Sequence, residues 1–156
     1  MKKLIVALCA LVVLGGCASG SKEVKTASCT SKIDQNGIVL DMKIDFDYEG
    51  EKIVKQVQKG VISTEDDSIY QQMKAMMEAQ GYADKSKDMD GVTYELKNDD
   101  AKKTITENLS IDLTKISGKD YKILTNGEAE TGDGKFIMDL NKTIDGFKDQ
   151  GYTCAL

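Results

Sequence analysis

The stretch IVLDMKIDFDYEGEKIVKQVQKGVI, residues 38–62, decides the fold of this 156-residue chain. Apolar or aromatic side chains occupy its even positions from Ile38 to Tyr48, whereas the odd positions from Val39 to Asp47 are mainly charged. A period of two residues is typical of a strand with one buried and one wet face. Glu49-Gly50-Glu51 supplies a turn and the alternation resumes up to Ile62, so the stretch predicts an antiparallel hairpin.

A helix is predicted directly after this hairpin. Thr64-Glu65-Asp66-Asp67 resembles a capping box with acidic groups at the positive end of a helix dipole. Gly81 provides a left-handed stop. The residues at helical spacing on one side are Ile69, Met73, Met76, Met77 and Gln80.

The second half of the chain repeats this order of elements. A second strand pair is predicted at 92–97 and 103–113, in which Glu107 is the one residue out of an otherwise apolar alternating face. Residues 114–134 predict irregular structure with a short turn of helix. A last helix is expected over Met138–Lys148 with Gly151 as its stop, followed by an edge strand over Tyr152–Leu156.

These elements predict an α+β fold, in which an antiparallel sheet of four to six strands carries two helices on one face. Both halves end their helix in the same way, with Gln80-Gly81-Tyr82 and Gln150-Gly151-Tyr152. Two interpretations of this recurrence stay open. Either the chain contains a duplicated ββα unit, or the two helices end in the same Gln-Gly-Tyr pattern by chance.

The N-terminus has the order of an export signal, because Lys2 and Lys3 precede an apolar run that ends in small residues. The run is too short for a membrane-spanning helix. Leu14-Gly15-Gly16-Cys17 resembles the lipobox of bacterial lipoproteins, in which the cysteine is acylated, as with palmitate, and becomes the first mature residue. We therefore expect a signal peptide over 1–16, a lipidated flexible tether over 17–26 and one α+β domain over 27–156. An ordinary secretory signal is the alternative.

Two cysteines remain for pairing once Cys9 leaves with the signal and Cys17 is lipidated. An exported chain with exactly two thiols predicts a disulfide between Cys29 and Cys154, which would fasten the first ordered segment to the last. Two free thiols, or a metal or redox pair, are the alternatives that the sequence leaves open.

Composition excludes several kinds of chemistry. The chain has no histidine, which removes the commonest general base and excludes catalytic triads of the Ser-His-Asp and Cys-His types. There are 26 acidic and 21 basic residues, and loss of Lys2 and Lys3 moves the net charge from −5 to −7. That balance argues against nucleic acid as a partner, because binding there depends on neutralising phosphates with clustered Lys and Arg. No catalytic residue, metal ligand or cofactor is assigned.

Three groups of side chains could form a ligand site, but each group also has a simpler structural explanation. Met73, Met76 and Met77 could bind a soft metal, although their spacing fits core packing better. The acidic loops 88–91 and 128–134 do not match a twelve-residue calcium loop. Asp41, Asp45 and Asp47 could meet a cationic partner, although the wet face of a half-covered sheet is expected to carry such residues.

The chain resembles the YehR-like family of small bacterial lipoproteins. The resemblance rests on the lipobox, on the hairpin from Tyr48 to Gln56, on Gly91-Val92-Thr93-Tyr94 and on the closing Gln150-Gly151-Tyr152. The resemblance implies that the chain is a small bacterial lipoprotein. Because the family has no assigned activity, the resemblance implies no catalytic residues.

The sequence supports two hypotheses about function. The leading one is a non-catalytic interaction module on the exported side of a bacterial cell membrane, held by the lipid on Cys17 and contacting envelope proteins through its exposed sheet face. The alternative is a lipoprotein that binds a small solute or a cation in a pocket between sheet and helices.

Overall fold

The computed structural model describes residues 23–124, 131–132 and 135–156. Within these residues the chain forms nine strands and four helices. In chain order they are β1 (Val24–Gln35), β2 (Ile38–Glu49), β3 (Lys52–Thr64), α1 (Asp67–Ala79), α2 (Tyr82–Ser86), β4 (Val92–Asp99), β5 (Thr104–Asp112), α3 (Gly118–Leu124), β6 (Thr131–Gly132), β7 (Lys135–Phe136), β8 (Met138–Asp139), α4 (Leu140–Asp149) and β9 (Thr153–Ala155).

Seven of the described strands form one antiparallel sheet with the order β4-β5-β3-β2-β1-β9, to which β8 adds by pairing with β3. The α+β class is therefore confirmed, whereas the expected four to six strands are too few. The strand missed most clearly is β1, which runs for 12 residues beside β2. Its sequence is small and polar at most positions, so it lacks the apolar alternation by which a strand is recognised.

The central hairpin of β2 and β3 is confirmed, with one irregularity. Tyr48 pairs with Ile53 while Asp47 pairs with Lys55, so the register shifts by one residue between these two pairs. A bulge of this kind turns side chains to the other face of the strand. Ile53 consequently lies beside Tyr48 and is fully buried, which a strict alternation through Lys55 would not allow.

We call the covered face the side of the sheet that carries the even-numbered residues of β2 and the residues paired with them. Every strand residue of two buried clusters belongs to this face. The larger cluster joins strand residues such as Ile44 and Phe46 to Leu140 and Ile144 of α4 and to Tyr121 of α3. The smaller joins Ile105 to three residues of α1, which are Tyr70, Met73 and Met77.

The opposite side of the sheet, which we call the exposed face, carries mainly polar side chains that stay in contact with solvent. Asp41 and Lys43 of β2, Lys59 of β3 and Glu95 of β4 are exposed. Asp45 is half-buried. This is the wet face that the alternation in β2 predicts.

The helix ends follow the capping signals in the sequence. Asp66 caps α1 by accepting a hydrogen bond from the Ile69 amide, and Asp139 caps α4 by accepting one from the Lys142 amide. Gly81 and Gly151 both have positive φ, 64° and 89°, as expected for residues that end a helix. The shared helix ending is therefore real, but α2 follows the first helix and β9 follows the last, so the second half is not a plain copy of the first.

Candidate functional site

A cavity of about 360 Å³ opens over the covered face. Its floor comes from β2, β3, β4 and β5, and its walls come from the end of α1, the start of α2 and the end of α3. The residues that line it are Leu40, Met42, Gln56, Gln58, Gly60, Ile62, Met77, Gln80, Tyr82, Tyr94, Ile105, Glu107, Leu109, Ile111 and Leu124. Most of these side chains are apolar.

The strand register brings Met42, Gly60 and Glu107 into one row across the floor. Met42 pairs with Gly60, and Gly60 pairs with Glu107. Glycine allows the Met42 thioether to lie over the centre of this row, since a Cβ at residue 60 would lie 2.9 Å from the Met42 Sδ and 3.9 Å from the Glu107 Oε2. A side chain here would occupy part of the space between thioether and carboxylate.

Glu107 is held in place by Tyr94. The tyrosine hydroxyl donates a hydrogen bond to the Glu107 Oε1 over 2.9 Å. Burial raises the pKa of Tyr94, and the hydrogen bond to Glu107 and the charge of that carboxylate raise it further, so the phenol stays a donor across the physiological range. The Tyr82 ring packs against that of Tyr94 with centroids 5.9 Å apart. These contacts fix one carboxylate oxygen.

A pocket between sheet and helices was the alternative hypothesis from the sequence, but its lining residues were not identified, and one residue signalled them. Glu107 breaks the apolar pattern formed by Ile105, Leu109 and Ile111 on the covered face of β5. A single acidic residue in such a pattern has no obvious packing role, and here it projects into a cavity. The remaining lining comes from separate elements that only the tertiary fold brings together.

The acidic residues singled out on β2 lie on the exposed face, where Asp41 is exposed and the other two are engaged by their neighbours. Asp45 accepts hydrogen bonds from Ser28 and from Lys43, the latter over 2.8 Å. Partial burial acts to raise the pKa of Asp45, but the hydrogen bonds from Lys43 and Ser28 outweigh it and hold the pKa below its usual value. Asp47 accepts a hydrogen bond from Thr26 over 2.7 Å. Hydrogen bonds from β1 and from Lys43 of the same strand therefore account for Asp45 and Asp47.

The three methionines of α1 do not form a soft-metal site. Met73 and Met77 are each 8% exposed and belong to the smaller cluster, whereas Met76 is 56% exposed. The expectation that Met76 shares the buried side of the helix is wrong, because Met76 lies outside the side of α1 that Met73 and Met77 bury. Across the described ranges, no group of three or more Cys, Asp or Glu side chains could hold a metal ion.

The first acidic loop has a structural role. Gly91 has a φ of 76° and a Cβ there would lie 2.9 Å from the Asp112 carbonyl oxygen, so only glycine fits without a shift. Its own carbonyl accepts the Asp112 amide over 2.7 Å, which ties this loop to the end of β5. Most of the second acidic loop, 128–134, lies outside the described residues.

Cys29 and Cys154 face each other where β1 pairs with β9. Their sulfur atoms are bonded, with the Cα atoms 4.1 Å apart and a sequence separation of 125. The Cys29 side chain is fully buried in the larger cluster. The bond therefore joins the first strand to the last. The signal at 1–16 and Cys17 lie outside the described residues, and the expected domain start at residue 27 falls within β1, which begins at Val24.

Helices that are long and apolar enough to cross a membrane are absent from the described part of the chain. Residues 27–153 match a family described as "Protein of unknown function (DUF1307)". A Listeria innocua protein, "Uncharacterized lipoprotein Lin0239", is 31% identical over 137 residues, covering 86% of this chain and 83% of the relative. "Uncharacterized lipoprotein Lmo0207" of Listeria monocytogenes is 27% identical over 135 residues with the same coverage of both chains.

Two solved structures share the fold. The NMR structure of the Escherichia coli YehR protein has a TM-score of 0.60 at 20% identity and covers 85% of this chain and 92% of its own. The NMR structure of a Streptococcus pneumoniae TIGR4 protein has a TM-score of 0.59 at 16% identity, with coverage of 99% and 98%. The resemblance to the YehR-like family, which the turns and strand entries predicted, is confirmed.

Proposed function

The chain belongs to the DUF1307 family of proteins of unknown function, and from that premise we propose a lipid-anchored domain of the bacterial cell envelope that binds a small molecule without transforming it. The names of its Listeria relatives, both uncharacterised lipoproteins, support the anchor. So does Leu14-Gly15-Gly16-Cys17, which places the acylated cysteine at the start of the mature chain on the exported side of the membrane.

The cavity over the covered face carries the binding proposal. Its volume of about 360 Å³ falls in the range of sites that hold small ligands, roughly 300–1,000 Å³. Such sites combine a mainly apolar wall with a few fixed polar groups, as Glu107 and Tyr94 do here. The helices over this face act as walls, so the cavity belongs to the fold and does not need a partner to form.

Binding without turnover agrees with the chemistry of the lining. Glu107 accepts a hydrogen bond from the Tyr94 hydroxyl, and the raised pKa of Tyr94 keeps the proton on the phenol. The pair therefore does not supply an activated nucleophile. The chain also has no histidine to act as a base. We therefore assign to the cavity the role of a receptor site and not of an active site.

The anchor keeps this site close to the lipid. Six residues separate Cys17 from β1, which begins at Val24. A fully extended chain of that length reaches about 25 Å. Ligands or partners are therefore met near the membrane surface.

Contact with envelope proteins through the exposed face is a second candidate. The observation that favours it is the polar sheet surface opposite the cavity, where Lys43, Lys59 and Glu95 stay exposed. Both roles are compatible in one domain, because the two sites lie on opposite faces of the sheet.

Thermal unfolding of the full chain against a panel of metabolites and divalent cations tests the binding role. A compound that occupies the cavity raises the midpoint by several degrees and keeps this effect in Glu95→Gln, which alters only the exposed face. If none of a broad panel stabilises the protein, the exposed-face role takes precedence. Replacing Cys17 by serine tests the anchor: we expect loss of membrane retention or blocked maturation, and unchanged retention would refute it.

A further inference from the structure

We propose that the cavity takes amphipathic organic cations, with the ammonium group bound at the Glu107 Oε2 and the apolar body lying against Leu40, Ile62 and Met77. This inference rests on the proposed binding function and specifies its ligand class. It follows from charge, from the geometry of one carboxylate and from the nature of the walls.

Among the described residues that line the cavity, Glu107 is the one with a charged side chain. Seven ion pairs join lysines to carboxylates in the described part of the chain, and none of them involves Glu107. Glu107 is half-buried, and a cationic group beside such a carboxylate is attracted more strongly than it would be in bulk water. The cavity thus supplies the anionic group of an ion pair, and a ligand would supply the cationic group.

The two oxygens of this carboxylate have different surroundings. Oε1 accepts the Tyr94 hydroxyl. Oε2 accepts no hydrogen bond from a described residue, and it is open to solvent, because no buried side-chain oxygen among these residues lacks a partner. Oε2 lies 3.9 Å from the position that a Cβ of Gly60 would take, and the Met42 Sδ lies 2.9 Å from the same position. The carboxylate oxygen and the thioether therefore flank one point on the cavity floor. A ligand nitrogen that approaches Oε2 from the cavity side can donate to this oxygen, with the Met42 thioether beside it.

The walls favour a ligand with an apolar body over a bare ion. Around the carboxylate, the cavity presents the side chains of Leu40, Met42, Ile62, Met77 and Leu109. Calcium takes six to eight oxygen ligands, several of them from carboxylates, whereas the described lining offers one carboxylate beside three glutamine amides. An anionic ligand would meet Glu107 with like charge. An alkylammonium matches both the charge and the apolar surface.

Methionine methyl NMR reads this site directly. The full chain, reconstituted in phosphatidylcholine nanodiscs with empty nanodiscs as the blank, is titrated separately with hexylammonium, 1-hexanol and hexanoate. Met42 and Met77 line the cavity, and Met76 is exposed and outside it, so it serves as an internal control. We expect saturable shifts at Met42 and Met77 only. Hexylammonium should bind about tenfold more tightly than hexanol, as a charge-assisted hydrogen bond implies.

Two matched variants separate the cavity carboxylate from the overall negative charge. Glu107→Gln keeps an acceptor for Tyr94 but removes the charge, and should bring hexylammonium and hexanol to equal affinity. Glu95→Gln removes one charge from the exposed face and should leave the preference intact. Performing the titrations in 0.5 M salt suppresses contributions from surface charges.

The outcomes distinguish this inference from the function on which it rests. Equal or tighter binding of hexanol by the unaltered chain overturns the cation preference while the cavity remains a binding site. Absence of any saturable shift with all three probes overturns both. If Glu107→Gln does not fold, the comparison of the three probes on the unaltered chain decides alone.

Discussion

Tyr94 and Glu107 meet diagonally across the β4–β5 pair. Tyr94 lies directly opposite Leu109, and Glu107 lies directly opposite Leu96, yet the Tyr94 hydroxyl reaches the Glu107 Oε1 at 2.9 Å. Diagonal neighbours on one face of a sheet are within reach of an aromatic side chain. The Glu107 Oε1 therefore accepts the Tyr94 hydrogen bond, and the Oε2 faces the cavity.

Replacing Tyr94 by phenylalanine should loosen the carboxylate without emptying the cavity. The ring and its packing against Tyr82 are retained, whereas the hydrogen bond to Glu107 is lost. We expect the free energy of unfolding to fall by about 1 kcal/mol. Affinity for hexylammonium should fall several-fold while affinity for hexanol changes little. Chemical denaturation and methyl NMR measure the two effects, and equal losses for both probes would contradict the positioning role.

Replacing Gly60 by alanine should weaken ligand binding at little cost in stability. The added methyl group would lie 2.9 Å from the Met42 Sδ, so the flexible thioether has to move within the cavity. Alanine also lowers the entropy of the unfolded chain, and we expect the unfolding free energy to change by less than about 1 kcal/mol.

Gly146→Ala is the matched control for that variant, because nothing lies within 4 Å of the position of its added Cβ and it is outside the cavity lining. Affinity for hexanol, measured by methyl NMR, should fall in Gly60→Ala and stay constant in Gly146→Ala. A parallel change in both variants would show that the cavity is not the site.

The sequence predicted the central hairpin because the alternation from Ile38 to Tyr48 has an unambiguous period. It did not predict β1, whose covered-face residues Ala27 and Cys29 are small and whose other positions are mainly polar. Nor could it place β5 beside β3, since this pairing joins segments separated by two helices and another strand. The cavity depends on that pairing, so its residues could not be grouped in advance, although Glu107 stood out as an exception.

Loss of the Cys29–Cys154 bond should lower stability substantially. The bond closes a loop across 125 residues, and the chain-entropy model gives a loss of about 3 to 5 kcal/mol on its removal. We expect this decrease in the double variant Cys29→Ala/Cys154→Ala, measured by chemical denaturation. Mass spectrometry of the exported protein under non-reducing conditions should find the two cysteine peptides joined, and two free thiols would refute the proposed bond.

Replacing Tyr70 by phenylalanine should raise the pKa of Asp100. The Tyr70 hydroxyl donates to the Asp100 Oδ1 over 2.6 Å and Lys74 donates over 3.0 Å, and together they hold this pKa below the usual value near 3.8. Because the folded pKa is the lower one, the stabilisation is complete above about pH 3.8 and is lost as pH falls through the folded pKa. Carboxyl NMR titration measures the shift.

Asp99 provides the control for that titration, since the Lys102 amide is the main cause of its own lowered pKa. Its titration should be the same in the unaltered chain and in Tyr70→Phe. If the pKa of Asp100 is also the same in the variant, the hydrogen bond from Tyr70 does not lower that pKa.

The central claim is that a small ligand enters the cavity over the covered face, and intermolecular NOEs test it most directly. With the full chain saturated by hexylammonium, we predict cross-peaks from the ligand methylene protons to the methyl groups of Met42 and Met77, and none to Met76. Cross-peaks to Met76 alone, or saturable binding without contacts to Met42 and Met77, would contradict the claim.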